Sequence, residues 1–259
     1  MTRHGYFRTL VKGSTIAFAG NGLIYAMAFV FQLMLVRFLG AENYGVWNFA
    51  WTLALTAAQL SAMGLGLAAI YFISGKHEGG PGPSDAAGTA LRISLTSAVA
   101  AALLLPALGR IWIVPAYGFH GLQSLITVLA AAIPFISLTN MLECVFRGHQ
   151  DAAAAFKMKL VPEALKLMVV PAALLVFGAD KLTVAVSVAS VMLAPALYGA
   201  YMFHKLVLPV GTLFSPVQGG RAAAPLLRYA MPFFLLEVFQ LLRDRADTFI
   251  IGYLSTASY

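Results

Sequence analysis

MPFFLLEVFQLLRDRADTFIIG, residues Met231 to Gly252, is apolar enough to enter a bilayer, yet it carries Glu237, Arg243, Asp244, Arg245 and Asp247. On a helix, Glu237, Gln240, Asp244 and Asp247 follow the spacing i, i+3, i+7, i+10 and fall within roughly an 80° arc. The stretch therefore reads as an apolar rod with one polar stripe. A charge near the bilayer centre costs on the order of 2.5–3.5 kcal/mol on insertion scales, against roughly 0.3–0.6 kcal/mol gained per Leu, Ile or Phe. Lipid cannot cover such a stripe, so other helices or a water-filled cavity must.

The rest of the chain supplies those helices. Of its 259 residues, 60% are apolar and only 10% are charged, and the mean hydropathy is +0.82. A soluble domain is typically about a quarter charged, so the fold class expected is an all-α integral membrane protein. The single cysteine, Cys144, excludes an internal disulfide and any cysteine-based metal site. His4, His77, His120, His149 and His204 are scattered without metal-ligand spacing, so no metal and no cofactor are expected.

Six apolar runs precede the opening stretch: Ile16–Val36, Tyr44–Ile73, Ala86–Leu108, Gly121–Cys144, Met158–Phe177 and Leu182–Phe203. About 20 apolar residues cross a bilayer, so about seven spans are expected. Small-residue cleavage patterns at Ala17-Phe18-Ala19 and Ala26-Met27-Ala28 lie inside the first run rather than after it, which favours a retained span over a signal peptide. Gly75–Gly88 is rich in Gly and Pro and reads as a loop. Lys205–Tyr229, with Pro209, Gly211, Pro216, Gly219, Gly220 and Pro225, reads as a linker between packed units. Trp112, Tyr117 and Phe119 suit a membrane–water interface.

With the N-terminus in the cytoplasm, Arg3, Arg8, Lys12, Lys76, Arg92, Arg147, Lys157, Lys159, Lys205, Arg221 and Arg228 lie on the cytoplasmic side, against Arg37, Arg110 and Lys181 outside. That bias agrees with the positive-inside rule and accounts for most of the net charge of +7 without a nucleic-acid partner. Val30-Phe31-Gln32-Leu33 recurs as Val238-Phe239-Gln240-Leu241, and Arg37 falls on Arg245 at the same offset. An offset of six spans preserves direction through the membrane, as a parallel repeat requires. The expected layout is a six-helix lobe over 1–204, a cytoplasmic linker over 205–229, and the first helix of a second lobe over 230–259. On that layout the sequence corresponds to a partial transporter.

Two other spans carry polar stripes. Asn140, Glu143, Arg147 and Gln150 repeat the i, i+3, i+7, i+10 spacing, and Lys159, Glu163 and Lys166 share one face of the fifth span, which also holds Pro162 and Pro171. The bland reading is mutual neutralisation, with Arg243–Asp247 and Lys159–Glu163 spaced i, i+4 for local ion pairs. The functional reading takes Arg243, Arg245, Lys166, Glu237, Asp244, Asp247, Asn140 and Glu143 as the candidate substrate-binding set, because ionisable groups inside a membrane mark pathways and sites. Gln32 and Asn21 are weaker candidates of the same kind. Gly20, Gly22, Gly64 and Gly66 fit close helix packing.

Arg37-Phe38-Leu39-Gly40-Ala41-Glu42-Asn43-Tyr44-Gly45 resembles the R-x-L-G-x-x-x-Y-G signature of bacterial polysaccharide and O-antigen flippases. Gly64-Leu65-Gly66-Leu67-Ala68 is similar to the end of the second helix in that family. Arg245-Ala246-Asp247-Thr248-Phe249-Ile250-Ile251-Gly252 is similar to its seventh-helix motif. The resemblance implies two six-helix lobes around a cavity that opens to each side in turn. It also implies an undecaprenyl-pyrophosphate-linked oligosaccharide as substrate, moved across the bacterial inner membrane for polysaccharide, O-antigen or lipopolysaccharide synthesis. Membrane lipid surrounds such a protein, and a polysaccharide polymerase or glycosyltransferases are its candidate partners.

A negatively charged lipid head cannot cross hydrocarbon unaided, because its charges would lose hydration. On this reading Arg243, Arg245 and Lys166 supply positive potential, while Glu237, Asp244 and Asp247 tune it or couple to cations. One rival is a cation-coupled multidrug exporter of the same superfamily, binding cationic amphiphiles at the acidic stripe. Another is a polyprenyl-linked glycosyltransferase or ligase, which would need acidic residues on a sizeable external loop. A purely structural membrane subunit is a third. No nucleophile–base pair or phosphate-cradling loop is present in the sequence, so no enzymatic chemistry is expected.

Overall fold

The structure, a computed structural model, describes residues 3–75, 81–206 and 216–257, with side chains described for 20–75, 81–205 and 222–250. All regular structure among them is helical. The first element, α1 (Arg3–Ser61), contains a non-helical break at Gly40, with φ 73° and ψ 165°. On a straight helix the rings of Phe31 and Trp47 would stand roughly 24 Å apart at 1.5 Å per residue. Their centroids are 6.3 Å apart. The chain therefore doubles back at Gly40 into a helical hairpin, through a backbone region that only glycine enters without strain.

The second arm of the hairpin breaks at Ser61 and resumes as α2 (Leu65–Ser74), after Met63 and Gly64 adopt positive φ values of 51° and 70°. The next helix, α3 (Pro83–Leu108), continues through a π-helical turn (Gly109–Ile113) into α4 (Val114–Tyr117). After it, α5 (Leu122–Ala130) and α6 (Ile133–Gly148) meet at a bend of 44°. Asp151 caps α7 (Ala152–Phe177) by accepting from the Ala154 N–H at 2.9 Å, and α7 runs on through Pro162 and Pro171. Then come α8 (Lys181–Val191), capped by Asp180, and α9 (Leu193–Leu206). The last helix is α10 (Pro216–Ala257).

Among the described residues five stretches are long and apolar enough to cross a membrane: Gly20–Ser61, which the turn at Gly40 folds into two arms, Pro83–Tyr117, Ala152–Phe177, Lys181–Lys205 and Ala222–Ile250. The bent α5–α6 pair is a sixth when taken together. Large apolar side chains stand outward along them, including Leu103, Leu104, Leu175, Val176 and Phe177. In water that would be a liability; against acyl chains it is the expected surface. The expected class, an all-α multi-pass membrane protein, is the one found.

Two expected connections differ. The Gly- and Pro-rich stretch read as a loop up to Gly88 becomes helical at Pro83, because Pro suits a first helical turn and Ala86, Ala87 and Gly88 are buried against neighbours. Residues 76–80 of it lie outside the described residues. The stretch read as a linker up to Tyr229 is helical from Pro216. Ala222, Leu226 and Ala230, at i, i+4, i+8, form its buried stripe, while residues 207–215 lie outside the described residues.

The buried side chains fall into two apolar layers stacked along the helices. One holds Leu35, Trp47, Ala54, Ala98, Leu125, Leu129, Ile133, Val170 and Val188. The other holds Leu65, Phe72, Ala87, Leu91, Met141, Phe146, Met158, Phe203 and Leu226. Helices α3, α6 and α7, and the α1–α2 pair, each contribute to both. Between the two contributions lies a set of buried hydroxyl side chains. Ser61 donates to Ser137 at 3.2 Å, Ser94 and Ser137 share a hydrogen bond of 2.9 Å, and Ser97 donates to the Ser61 carbonyl. This seam ties α1, α3 and α6 at mid-height.

Candidate functional site

The same intermediate level holds Glu163 and Lys166 of α7, and Glu143 of α6 lies about a turn beyond it, beside the second layer. Lys166 follows Pro162 and Glu163 on α7, between the buried Met158 of one layer and Val170 of the other. Only 7% of Lys166 is exposed. Its Nζ donates to Glu163 Oε1 at 2.6 Å and sits 5.5 Å from the Phe31 ring centroid and 5.9 Å from that of Trp51. Carboxylate and aromatic rings together hold an ammonium group that lipid could not. On α6, Glu143 Oε1 pairs with Lys159 Nζ at 3.1 Å and with Arg147 at 3.5 Å.

Glu143, Lys159, Glu163 and Lys166 line a cavity of about 300 Å³ between α1, α6 and α7. Asn21, Tyr25 and Trp51 face it from the hairpin arms, Thr139, Asn140 and Glu143 from α6, and Lys159, Glu163 and Lys166 from α7. Glu163 Oε2 is buried with no hydrogen-bond partner among the described residues. A larger groove of about 750 Å³ lies where α10 meets α2, walled by Phe72, Pro225, Arg228, Tyr229 and Phe233. Apart from Arg228 its walls are apolar or aromatic, so it offers few groups to orient a polar ligand.

Of the eight candidates from the sequence, Lys166, Asn140 and Glu143 converge on the mid-height cavity. The five on α10 do not. Glu237 Oε2 accepts from the Gly64 N–H at 3.2 Å, capping α2 at its break. Arg243 and Asp244 pair with each other at 2.8 Å on an exposed face. Arg245 is half-buried, and Asp247 is exposed, with Oδ1 accepting from the Thr248 N–H at 2.7 Å. The polar stripe of α10 is thus divided: its first member faces the bundle, and the Arg243–Asp244 pair stands away from it.

The expected local pairings also change. Lys159 reaches across to Glu143 rather than to Glu163, and Arg243 takes the adjacent Asp244 rather than Asp247. Glu163 is left for Lys166. Lys166 is consequently a paired group rather than a free positive charge. Tyr25 and Trp51, which the sequence reading did not single out, belong to the cavity because the turn at Gly40 brings the two arms together. Among the described residues no cluster of three or more His, Cys, Asp or Glu is placed to hold a metal ion.

Comparison with known proteins agrees with this architecture. The fold is similar to that of a MOP superfamily transporter from Pyrococcus furiosus whose binding pocket is described as having reverse polarity. The TM-score is 0.57 at 20% identity, covering 87% of this chain and 51% of that one. It is also similar to a multidrug resistance MATE family transporter of the MOP superfamily in an inward-facing conformation, with a TM-score of 0.56 at 17% identity, covering 82% of this chain and 54% of that one. The chain thus spans about half the length of these solved structures. No curated protein matches it. The sequence pattern of the polysaccharide biosynthesis protein family matches residues 10–258, nearly the whole chain, and the chain belongs to that family.

Proposed function

We propose that the protein is a flippase that moves an undecaprenyl-diphosphate-linked oligosaccharide across the bacterial cytoplasmic membrane by alternating access. Residues 1–204 would form the first lobe and 230–259 the first helix of a second, joined through 205–229. The observation that carries the reading is the polar cavity at mid-height, built around the buried Lys166–Glu163 pair, in a member of a polysaccharide biosynthesis family. Transporters of related design bind substrate near the bilayer midplane, where helices are discontinuous. Here the α1–α2 break at Ala62–Gly64 falls between the two apolar layers.

In this scheme the cavity receives the glycan head while the lipid tail stays in hydrocarbon. Arg243 and Arg245 on α10 supply positive potential to the diphosphate, and Glu237, Asp244 and Asp247 set its strength. The Arg243–Asp244 pair is exposed, so an anionic ligand can exchange for Asp244 at small cost. The work is transport, not bond chemistry. Multidrug export is the second reading, favoured by the likeness to a MATE transporter. Against it, the cavity carboxylates Glu143 and Glu163 already have lysine partners and offer no free negative charge to a cationic drug. Export of lipid-linked oligosaccharide by the full-length protein is the test. The double variant Arg243→Ala, Arg245→Ala should lose export while keeping its thermal stability, and normal export would remove both arginines from the mechanism.

A further inference from the structure

The cavity between α1, α6 and α7 has a chemistry of its own. Its lining carries two carboxylates and two ammonium groups, each carboxylate already joined to an ammonium: Glu143 to Lys159 at 3.1 Å and Glu163 to Lys166 at 2.6 Å. Arg147, mostly exposed, adds a longer contact to Glu143 at 3.5 Å. A diphosphate or uronate entering here would compete with these carboxylates for the two ammonium groups.

Beyond those ion pairs the lining offers neutral polar groups. Glu163 Oε2 is buried, out of reach of a ligand in the cavity, so recognition falls to the neutral side chains of the wall. Asn21 and Asn140 add amide groups that both donate and accept. Tyr25 adds an aromatic face, 74% exposed. The other aromatic of the lining, Trp51, is already engaged: Trp47 stacks on it at 6.1 Å and 13°, and Lys166 Nζ lies 5.9 Å from its centroid. At about 300 Å³ the space is at the small end of ligand sites, room for one ring rather than a chain of them.

We infer that this cavity is a subsite for a single neutral pyranose ring, stacked on Tyr25, with Asn21 and Asn140 on its hydroxyls. The inference rests on the lipid-linked oligosaccharide reading and deepens it. The cavity selects an uncharged sugar of the glycan, and the diphosphate is held elsewhere.

The test has a binding arm and a transport arm. In detergent, saturation-transfer NMR with methyl α-glucopyranoside and methyl N-acetyl-β-glucosaminide as probes should show contact with at least one of them. Affinity should fall about tenfold in Tyr25→Ala and stay within about twofold in Tyr25→Phe, since stacking needs the ring and not its hydroxyl. Inorganic pyrophosphate and glucuronate should not displace the bound sugar. No contact with either neutral probe, an undiminished signal in Tyr25→Ala, or displacement by pyrophosphate would each overturn the subsite. In vesicles containing lipid-linked oligosaccharide, transport by the wild type that persists unchanged in Tyr25→Ala would sink the subsite and leave the flippase reading standing. Sugar binding that depends on Tyr25, in a protein that moves no lipid-linked sugar, would support the subsite and sink the flippase reading.

Discussion

Replacing Lys166 with methionine keeps the stem of the side chain and deletes its charge. At 2.6 Å from Glu163 Oε1, with side-chain exposures of 9% and 18%, the pair is little screened. At an effective dielectric of 20 its attraction is about 6 kcal/mol before the desolvation of both ions is counted. Most of that attraction offsets desolvation, so the pair itself contributes little. The single substitution is different, because it leaves Glu163 charged and alone, at a cost of about 3–5 kcal/mol. Midpoints shift by roughly 2–4 °C per kcal/mol in chains approaching this size, so Lys166→Met should lower the unfolding midpoint by about 10 °C. Adding Glu163→Gln removes the stranded charge and should recover most of the loss. Thermal unfolding in detergent, followed by reaction of a dye with Cys144, the only thiol, reports all three midpoints. An unchanged midpoint in Lys166→Met, or a double variant less stable than the single, would refute the assignment of a buried, mutually dependent pair.

Two further substitutions address the backbone and the attachment of α10. A methyl group on Gly64 would lie 2.5 Å from the Ala230 carbonyl oxygen and 2.6 Å from the Phe234 nitrogen, at φ +70°, so Gly64→Ala should cost about 2–3 kcal/mol and loosen α10 from α2; a midpoint equal to wild type would contradict the close approach. Glu237→Ala deletes the acceptor of the Gly64 N–H and should cost about 1 kcal/mol, whereas Glu237→Gln should retain most of it; equal midpoints for the two would show that the hydrogen bond contributes nothing.

Much of the fold was legible in the residues because a bilayer imposes simple rules. Apolar length gave the helices, and the Arg37 to Gly45 motif contained the glycine at which α1 reverses. Starts were harder. Pro83 and Pro216 each sit in a Pro- and Gly-rich stretch that composition marks as loop, yet each opens a helix, because buried alanines a turn or two later outweigh local composition. The site was half legible. Spacing put Lys166, Asn140 and Glu143 on inward faces, but spacing along one helix could not show that Lys159 would cross to Glu143 on another. Tyr25 and Trp51 carried no signal at all, since their shared wall exists only after the hairpin closes. The stripe on α10 was clear as a pattern, but which part meets the bundle depends on where Gly64 lets the helix approach.

The two apolar layers have a consequence for the energised membrane. Each forms an apolar gasket across the bundle, with the hydroxyl seam and the Lys166–Glu163 pair between them. On the proposed function, a molecule reaching the middle would need to part only one gasket, and the other would keep protons and small ions from following the electrochemical gradient. Leakage would require both to open together, so the price of passage is a local separation of helices rather than a continuous pore.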